Sequence, residues 1–525
     1  MSVKSTRHAI ILGGGTAGWL TAGSLAAEYA KGDDSNLHIT LIESPDVKPI
    51  GVGEGTWPSM RNTLEHIGIK EHDFIKASGA SFKQGSKFVG WRNGAPNDVY
   101  YHPFVTPEGY TQTDLYSAWK YASTDLPFAD FVCPQSYICE QNCAPKQKAT
   151  PQWAGVLNYG YHLDAGKFAN LLHSHCTKNL AVNYIKDHVV SIKSKENGDI
   201  EALQTRENGD VEADFFIDCS GISSVLLSQH YKIPFNKQEH VLFNDSALAT
   251  HVPYTEDDSQ IASATISTAQ KFGWIWDIGL PDRRGVGHTY SSQYTDDKTI
   301  EQTLRQYAST SIGAKAAEKL ILKKLSFTPG YYQKFWHKNC LAIGLSAGFI
   351  EPLEASALAM VELSCSMLRE EFPVNREHMD LLAERFNTRF TYRWERVIEF
   401  LKLHYVLSDR SDSDYWVNNK TNDSIPARLQ TLLKIWQHQS PSRHDFIQNE
   451  EVFPSASYQY VLYGMGFSTD RKLTQTSFDK RSLAKKLHSQ NVQRKEQYKQ
   501  GLPSNRELIE HICNLQEEQN THYRF

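Results

Sequence analysis

The chain has 525 residues, of which 40% are hydrophobic and 22% are charged, and its net charge is −5. This composition is typical of a soluble globular protein, and the length predicts two or more lobes. Nucleic acid is excluded as a favoured partner because no strongly basic run occurs. No apolar run approaches the roughly 20 residues of a membrane span, so no membrane partner is expected. The first strand begins too early to leave room for a signal peptide, and we expect a cytoplasmic protein.

A glycine-rich turn follows the first predicted strand, which covers residues 9–12. The pattern G-x-G-x-x-G then leads into a predicted helix over 20–30. Gly13 permits the tight turn, Gly15 lets the backbone approach a pyrophosphate, and Gly18 lets the helix pack on the strand. The pattern predicts a dinucleotide site, and the alternative is a glycine-rich turn beside an empty crevice.

The second predicted strand, 37–42, ends at Glu43, an acid that can accept hydrogen bonds from a ribose hydroxyl. A second glycine-rich loop follows over 48–59 and could lie across a flavin ring. Residues 81–91 alternate enough to predict a strand. Within it, Lys83 is either a solvated side chain or a functional cation.

The 8 cysteines include a cluster at Cys133, Cys139 and Cys143. Their spacing matches no zinc pattern, so we predict no metal site and interpret them as free thiols.

The remaining predicted elements follow in chain order. They are an aromatic segment over 100–104, short helices within 105–153, a helix over 166–176 capped by Asp164, strands over 182–192 and 200–205, a buried strand over 215–221, antiparallel strands over 247–290, a buried strand over 340–345, a helix over 355–369, and C-terminal helices over 378–405, 426–438 and beyond 478.

Four motifs occur together and in order along this framework. They are G-x-G-x-x-G-W at 13–19, F-K-x-x-x-K-F at 82–88, W-x-W-x-I at 274–278 and G-F-x-E-P-L-E at 348–354. With them the chain resembles the FAD-dependent halogenases of the tryptophan halogenase family. The resemblance runs from about residue 8 to at least residue 420. The last three motifs together are specific, whereas the glycine-rich loop alone fits many flavoproteins.

The resemblance implies an α/β fold with a Rossmann-type, flavin monooxygenase-like FAD-binding core over 1–375. A mixed and antiparallel sheet region, at about 100–160 and 225–335, is inserted in it, and a helical lobe over 376–525 covers the substrate. The implied cofactors are FAD as FADH2, a halide ion and O2. The implied partners are a separate NAD(P)H-dependent flavin reductase and a small aromatic substrate, with a homodimer as a possible assembly.

The family's chemistry assigns roles to four residues. In this chemistry a flavin hydroperoxide reacts with halide to give hypohalous acid. Lys83 either holds the hypohalous acid or is itself halogenated by it. Glu354 polarises the electrophile and takes up the proton, and its alternative role is that of an acid at a helix start. Trp274 and Trp276 shield the flavin from the organic substrate, and core packing is their alternative. The implied FAD contacts are Gly13, Gly15, Thr16, Ala17, Gly18, Glu43, Val52, Gly53, Glu54, Val189, Leu345 and Leu358.

The halide and substrate positions depart from the family pattern. The halide site falls on Ser356 and Ala357, where many relatives have a Thr-Gly pair, and this difference favours bromide. His102 and Phe104 match the pair that sandwiches an indole ring. The clamp for free tryptophan has no clear counterpart, and the matching region, 445–466, is short. We therefore expect an indole or a larger aromatic, with reaction favoured at indole C3.

Two alternatives remain open from the sequence. One is a flavin-dependent monooxygenase that hydroxylates an aromatic substrate on the same core, against which Lys83 and the W-x-W-x-I motif argue. The other is an FAD-binding protein without turnover, which Ala355 and Ala357 keep open.

Overall fold

The computed structural model describes residues 5–29, 37–47, 53–122, 124–448, 450–470 and 478–522. The chain divides into two compact units, each made of three segments. Unit 1 consists of Met1–Gly79, Leu163–Lys237 and Thr328–Trp394, and unit 2 consists of Ala80–His162, Gln238–Phe327 and Glu395–Phe525. The division into a core and a lobe at residue 375 stays a prediction about domains.

The described strands are short and lie between residues 8 and 349. They are β1 (His8–Leu12), β2 (His38–Glu43), β3 (Glu54–Gly55), β4 (Ser81–Lys83), β5 (Gly85–Val89), β6 (Val99–Pro103), β7 (Gly160–Leu163), β8 (Asn183–Lys186), β9 (Val189–Ser194), β10 (Ile200–Thr205), β11 (Gly209–Glu212), β12 (Phe215–Asp218), β13 (Phe235–Lys237), β14 (Ser246–Pro253), β15 (Thr265–Ala269), β16 (Trp274–Gly279), β17 (Arg283–Tyr290), β18 (Lys323–Ser326), β19 (Gly330–Tyr332), β20 (Trp336–His337), β21 (Cys340–Ala342) and β22 (Gly348–Phe349).

The three longest of the described helices lie in the C-terminal third of the chain. They are α1 (Thr16–Tyr29), α2 (Met60–Ile67), α3 (Glu71–Ser78), α4 (Leu115–Lys120), α5 (Phe128–Val132), α6 (Gln135–Glu140), α7 (Ala165–Asn179), α8 (Asp297–Ile312), α9 (Ala314–Ala317), α10 (Ser356–Glu370), α11 (Arg376–Val406), α12 (Asp414–Asn418), α13 (Ala427–Trp436), α14 (Ser455–Gly464), α15 (Phe478–Gly501) and α16 (Asn505–His522). None of the described helices combines the length and the hydropathy that crossing a bilayer requires.

Unit 1 is built on a six-stranded sheet in the order β20-β21-β12-β1-β2-β8. Strand β1 runs parallel to both β2 and β12, and its residues after His8 are apolar and buried. Such a strand needs cover on both faces, and α1 packs against β1, α7 and α10. This arrangement confirms the predicted α/β class.

Unit 2 is built on a seven-stranded sheet in the order β18-β14-β17-β16-β15-β5-β6. The predicted antiparallel strands over 247–290 are confirmed by the pairs β14–β17, β16–β17 and β15–β16. Helix α8 packs against β14 and β17, where Val252, Val286 and Leu304 share one buried apolar cluster. Helix α14 packs against β6, which brings the C-terminal part of the chain to the strand that carries His102.

Three predicted elements differ from the structure. The prediction of a single strand over 81–91 is wrong, because β4 and β5 belong to different sheets and the chain turns at Gly85. A Cβ there would lie 2.4 Å from the carbonyl oxygen of His102. The predicted strand over 182–192 is likewise two strands, β8 and β9, in two sheets. Helix α1 begins at Thr16 rather than at residue 20, since the end of the glycine pattern already forms its first turn.

The cysteine cluster lies in unit 2. Cys133, Cys139 and Cys143 are free thiols and are buried. Burial raises the pKa of the Cys133 thiol to about 11 and that of Cys139 well above its ordinary value. Within the described ranges, no group of three or more His, Cys, Asp or Glu side chains could hold a metal ion.

Candidate functional site

The glycine turn of unit 1 has the geometry that its pattern requires. Gly13 has φ +123°, and a Cβ there would lie 2.1 Å from the carbonyl oxygen of Cys219. A Cβ at Gly18 would lie 1.9 Å from the carbonyl oxygen of Gly13. A Cβ at Gly15, in contrast, would meet no atom within 4 Å. Two glycines are therefore fixed by packing, and the third faces open space in which a ligand phosphate can lie.

Helix α1 starts at this turn, with Thr16 and Ala17 as its first residues. The free N–H groups at the start of a helix bind phosphate well. The turn that carries Leu345 lies against the same helix end, because a Cβ at Gly344 would be 2.8 Å from the Cβ of Ala17. The structure thus brings together the predicted FAD contacts of the first turn and Leu345.

Glu43 lies directly over the glycine turn. The amide of Gly13 donates to the carbonyl of Ile42 over 2.8 Å, and the Glu43 Cδ would be 2.3 Å from a Cβ at Gly14. The Tyr184 hydroxyl donates to Glu43 Oε2 over 2.8 Å. Burial and the neighbouring carboxylate raise the pKa of Tyr184 to about 12, so the phenol keeps its proton and orients the acid.

The second glycine-rich loop carries a buried carboxyl group. Gly53 has φ +81°, and Glu54 Oε2 is buried without a hydrogen-bond partner. Burial, with Asp164 adding to it, raises the pKa of Glu54 to about 7. A buried carboxyl oxygen without a partner suits a ligand that brings a hydrogen-bond donor. Val52 lies outside the described residues, and Val189, at the start of β9, packs against the apolar core of unit 1.

The glycine turn, the open space at Gly15 and the carboxyl group of Glu54 together fit a dinucleotide such as FAD. The helix start suits the phosphates, Glu43 suits a ribose, and Glu54 can accept a hydrogen bond from a ring N–H or a hydroxyl. All of these groups belong to unit 1.

Glu354 sits in a strained turn of the same unit. It is 6% exposed and has φ +63°, and Ala355 follows with φ +55°. Two successive left-handed residues other than glycine are costly and persist where the surroundings hold them. The indole Nε1 of Trp57 donates to the Glu354 carbonyl oxygen over 2.9 Å. This contact fixes the backbone at the predicted catalytic acid.

Helix α10 starts immediately after this turn. Ser356 is buried and Ala357 is exposed, so the two predicted halide residues differ in their access to solvent. Leu358, a predicted FAD contact, is buried one turn from Glu354. Further along, Glu362 is buried and accepts hydrogen bonds from the hydroxyls of Ser59 and Thr63.

Lys83 lies at the end of β4 in unit 2 and is 1% exposed. This burial excludes the alternative of a solvated lysine. Its Nζ is 5.3 Å from the centroid of the Phe104 ring. Asn505 fixes the strand one residue earlier, since its side chain exchanges hydrogen bonds with the backbone of Phe82. Lys87 shows the contrast, because it is half-buried and paired with Glu140 at 2.6 Å.

His102 lies among aromatic rings in unit 2. Its ring centroid is 5.6 Å from Phe400, 6.4 Å from Phe453 and 6.1 Å from Tyr460. Phe453 and Tyr460 come from the 445–466 region that the sequence predicts to serve the substrate. The structure thus brings this region to His102, and the surroundings suit a flat apolar ligand.

Trp274 and Trp276 are buried on β16, with their ring centroids 6.3 Å apart. Trp274 packs against Trp91 at 6.0 Å, and Trp276 covers Gly287, where a Cβ would lie 2.1 Å from the indole. Both therefore fill the core of unit 2, and their role as flavin shields stays a prediction.

Sequence reasoning missed several residues around these sites. Trp57 donates a hydrogen bond to the Glu354 carbonyl, and Glu362, two turns further along α10, accepts hydrogen bonds from Ser59 and Thr63. His162 lies opposite Ser81 on β7, and Asn505 bonds to the backbone of Phe82, the residue before Lys83. The signal for Glu362 and His162 was a polar residue inside an apolar run, whereas Trp57 and Asn505 gave no signal.

The parallel sheet, the glycine turn at a helix start and the buried carboxyl group define an α/β protein that binds a dinucleotide cofactor. Comparison with known proteins narrows this class. The tryptophan halogenase family profile matches residues 8–478. The crystal structure of a tryptophan halogenase from Shewanella frigidimarina is similar, with 48% identity, a TM-score of 0.94, and coverage of 97% of this chain and 98% of that one.

Two curated relatives agree. Tryptophan 6-halogenase SttH of Streptomyces toxytricini is 30% identical over 491 residues, which cover 89% of this chain and 90% of SttH. Tryptophan 7-halogenase RebH of Lentzea aerocolonigenes is 30% identical over 490 residues, which cover 88% of this chain and 90% of RebH. The chain belongs to the tryptophan halogenase family and is a flavin-dependent halogenase. Enzymes of this kind use FADH2, O2, a halide and a separate flavin reductase, and they act on aromatic substrates.

Proposed function

We propose that this enzyme forms hypohalous acid and uses it to halogenate an electron-rich, indole-type aromatic compound, with bromide preferred over chloride. The observation that carries the proposal is the burial of Lys83 beside Phe104. Burying an ammonium group costs free energy, so such a lysine is retained where its charge has a use.

Unit 1 is proposed to hold the cofactor. Bound FADH2 supplies the reducing power with which O2 and halide are converted to hypohalous acid. The N–H groups at the start of α1 bind its phosphates, and Glu43 binds a ribose hydroxyl. Glu54 accepts a hydrogen bond from the cofactor, which gives its unpartnered Oε2 a partner.

Lys83 is proposed to hold the hypohalous acid by donating a hydrogen bond from Nζ. Its ammonium lies near the face of Phe104, and this apolar neighbour limits competition from water. A charged donor strengthens the hydrogen bond and makes the halogen more electrophilic.

Glu354 is proposed to take up the proton that the aromatic carbon loses on halogenation. The strained turn and the Trp57 hydrogen bond fix its backbone, so its side chain is held in one place. Halide is proposed to bind at the start of α10, where the amides of Ser356 and Ala357 are available to an anion. Bromide, the more easily oxidised halide, suits a site that has lost the Thr-Gly pair.

The substrate is proposed to lie against His102 and Phe104, with the rings of Phe400 and Phe453 near His102. Flat apolar walls suit indole and give no specific hold on an amino acid group. Free tryptophan is therefore a poorer substrate than indole, and the electronics of the ring favour C3.

A product assay tests this proposal. The enzyme is incubated with FAD, a flavin reductase, NADH, O2 and indole, with bromide and chloride in separate reactions, and the product is identified by mass. We expect a halogenated indole from wild type, at least about 100-fold less from Lys83→Ala, and about 10- to 100-fold less from Glu354→Ala.

FAD affinity of both variants, measured by fluorescence, is expected to match wild type and serves as the control for folding. A product that has gained one oxygen and no halogen would favour the monooxygenase alternative. Halogenation that survives Lys83→Ala would contradict the proposed site.

A further inference from the structure

We propose that His162 is a positioning residue for Lys83, whose ammonium donates a hydrogen bond to the Nδ1 of a neutral His162 ring. The inference rests on the proposed function, because the role that this function gives to Lys83 depends on the direction in which Nζ points. It adds a residue to the site and changes nothing in the proposed reaction.

The strand register places the two side chains on one face. Strands β4 and β7 pair antiparallel, with Ser81 opposite His162 and Lys83 opposite Gly160. Opposed residues share a face, and residues two apart on a strand share it as well. Lys83 and His162 are therefore diagonal neighbours, and Gly160 places no side chain between them.

The ring contacts of Phe82 support this assignment. Phe82 lies opposite Tyr161 on the other face, and its ring is 5.9 Å from Tyr161 and 5.4 Å from Tyr159. The aromatic side chains thus fill one face of the pair, and the polar side chains of Ser81, Lys83 and His162 occupy the other.

One nitrogen of His162 is satisfied and the other is not. The ring is fully buried, and Nε2 lies 2.8 Å from the Thr265 hydroxyl oxygen. Nδ1 is buried without a hydrogen-bond partner. When Nε2 carries the proton and donates it to Thr265, Nδ1 presents a lone pair. A buried acceptor without a partner, on the same strand face as an ammonium group, is an incomplete arrangement that one hydrogen bond can complete.

The surroundings keep this acceptor neutral. Burial, and then the charge of Lys83, lower the pKa of His162 well below its ordinary value. Ser81 and Lys83 face the ring from β4 and Thr265 faces it from β15, and Lys83 is the charged group whose field acts on it. A carboxylate in this place would cancel the ammonium charge, whereas a neutral imidazole orients Nζ and leaves the charge available for the hypohalous acid.

Two conservative variants separate the two ring nitrogens. In His162→Asn the amide oxygen can take the place of Nδ1, and in His162→Gln the longer side chain reaches only the place of Nε2. We expect His162→Asn to form brominated indole within about threefold of wild type, and His162→Gln to form about tenfold less per NADH oxidised. His288→Gln is the matched control, because His288 is also buried in unit 2, and burial lowers its pKa to about 4.

A pH profile gives the readout that a merely structural role would not move. Without its acceptor the Lys83 ammonium loses its proton more readily, so bromination by His162→Gln falls off at lower pH than bromination by wild type between about pH 6 and pH 10. His162→Asn and His288→Gln keep the wild-type profile. Thermal melting of each variant reports on folding.

The outcomes are distinguishable. If Lys83→Ala still brominates indole, the proposed function fails. If Lys83→Ala is inactive and His162→Gln matches wild type in yield and pH profile, only the role of His162 is wrong. Equal losses in His162→Asn and His162→Gln, with an unchanged pH profile, would also overturn it.

Discussion

At the scale of single residues, the proposed catalytic acid Glu354 lies in a strained turn. Glu354 and Ala355 both have positive φ, and the Trp57 indole holds the Glu354 carbonyl. A left-handed glutamate costs about 1–3 kcal/mol, and the hydrogen bond offsets part of this cost. The position of the Glu354 carboxylate therefore depends on a tryptophan far away in sequence.

We predict that Trp57→Phe lowers the halogenation rate about tenfold, because the ring is kept and the hydrogen bond to Glu354 is lost. The measurement is the rate of indole bromination at saturating FADH2. Trp119→Phe is the control, since it removes an indole hydrogen bond to the Leu126 carbonyl, within unit 2. Equal activity of Trp57→Phe and wild type would contradict the prediction.

The buried carboxyl group of Glu362 makes the free energy of unfolding depend on pH. Burial raises its pKa from 4.5 to about 8, so the folded state holds this proton more tightly than the unfolded state. The stability it contributes is fully present below about pH 4.5 and is lost as the pH rises through about 8.

We predict that Glu362→Gln melts about 3 °C or more above wild type near pH 8, and that this difference disappears below about pH 4.5. Scanning calorimetry at both pH values measures it. Glu65→Gln, at an exposed position of α2, is the control and shifts neither melting temperature. A constant difference at the two pH values would argue against a buried proton on Glu362.

At the scale of elements, the glycines of the first turn divide into two kinds. Gly18 is closed in by the carbonyl of Gly13, whereas Gly15 faces open space. We predict that Gly18→Ala lowers the melting temperature by several degrees, while Gly15→Ala melts with wild type and binds FAD at least about tenfold more weakly. Melting curves without FAD and fluorescence titration with FAD separate the two. Equal FAD affinity of Gly15→Ala and wild type would place the phosphates elsewhere.

Elements with a strong local signal could be predicted from the sequence. The apolar residues of β1, the glycine turn and the Asp164 cap, which accepts a hydrogen bond from the Lys167 amide, each depend on neighbouring residues. The break between β4 and β5 could not be predicted, because it depends on the contact of Gly85 with a strand further along the chain. Helix α8 was missed within a region assigned to strands, although Asp296 caps it.

The residues of the candidate site likewise divide into those that could be predicted from the sequence and those that could not. Lys83 and Glu354 could be named because they sit in motifs, and the family is confirmed by the comparisons. Their neighbours could not be named, since strand pairing places His162 on the same face as Lys83, and Trp57 bonds to Glu354 across nearly 300 intervening residues. Local sequence patterns indicate the candidate catalytic residues, whereas the side chains that position those residues can be identified only from the fold.

At the scale of the whole molecule, the two compact units are interleaved along the chain. Unit 1 needs segments that begin at Met1, Leu163 and Thr328, and unit 2 needs segments that begin at Ala80, Gln238 and Glu395. Neither unit is a continuous stretch, so a cut at any one point removes part of at least one of them. The FAD-binding and substrate-binding functions proposed for the two units therefore cannot be separated by simple truncation.

This interleaving bears on how the protein is made. In the sheet of unit 1, β1 pairs with β12, and β12 pairs with β21. A ribosome adds about 5–20 residues per second, so β1 leaves the exit tunnel on the order of tens of seconds before β21 is available to complete the sheet. During that interval the apolar strand and its unpaired edges are open to chaperones and to other nascent chains, so yield in a heterologous host depends on chaperone supply and translation speed as much as on final stability.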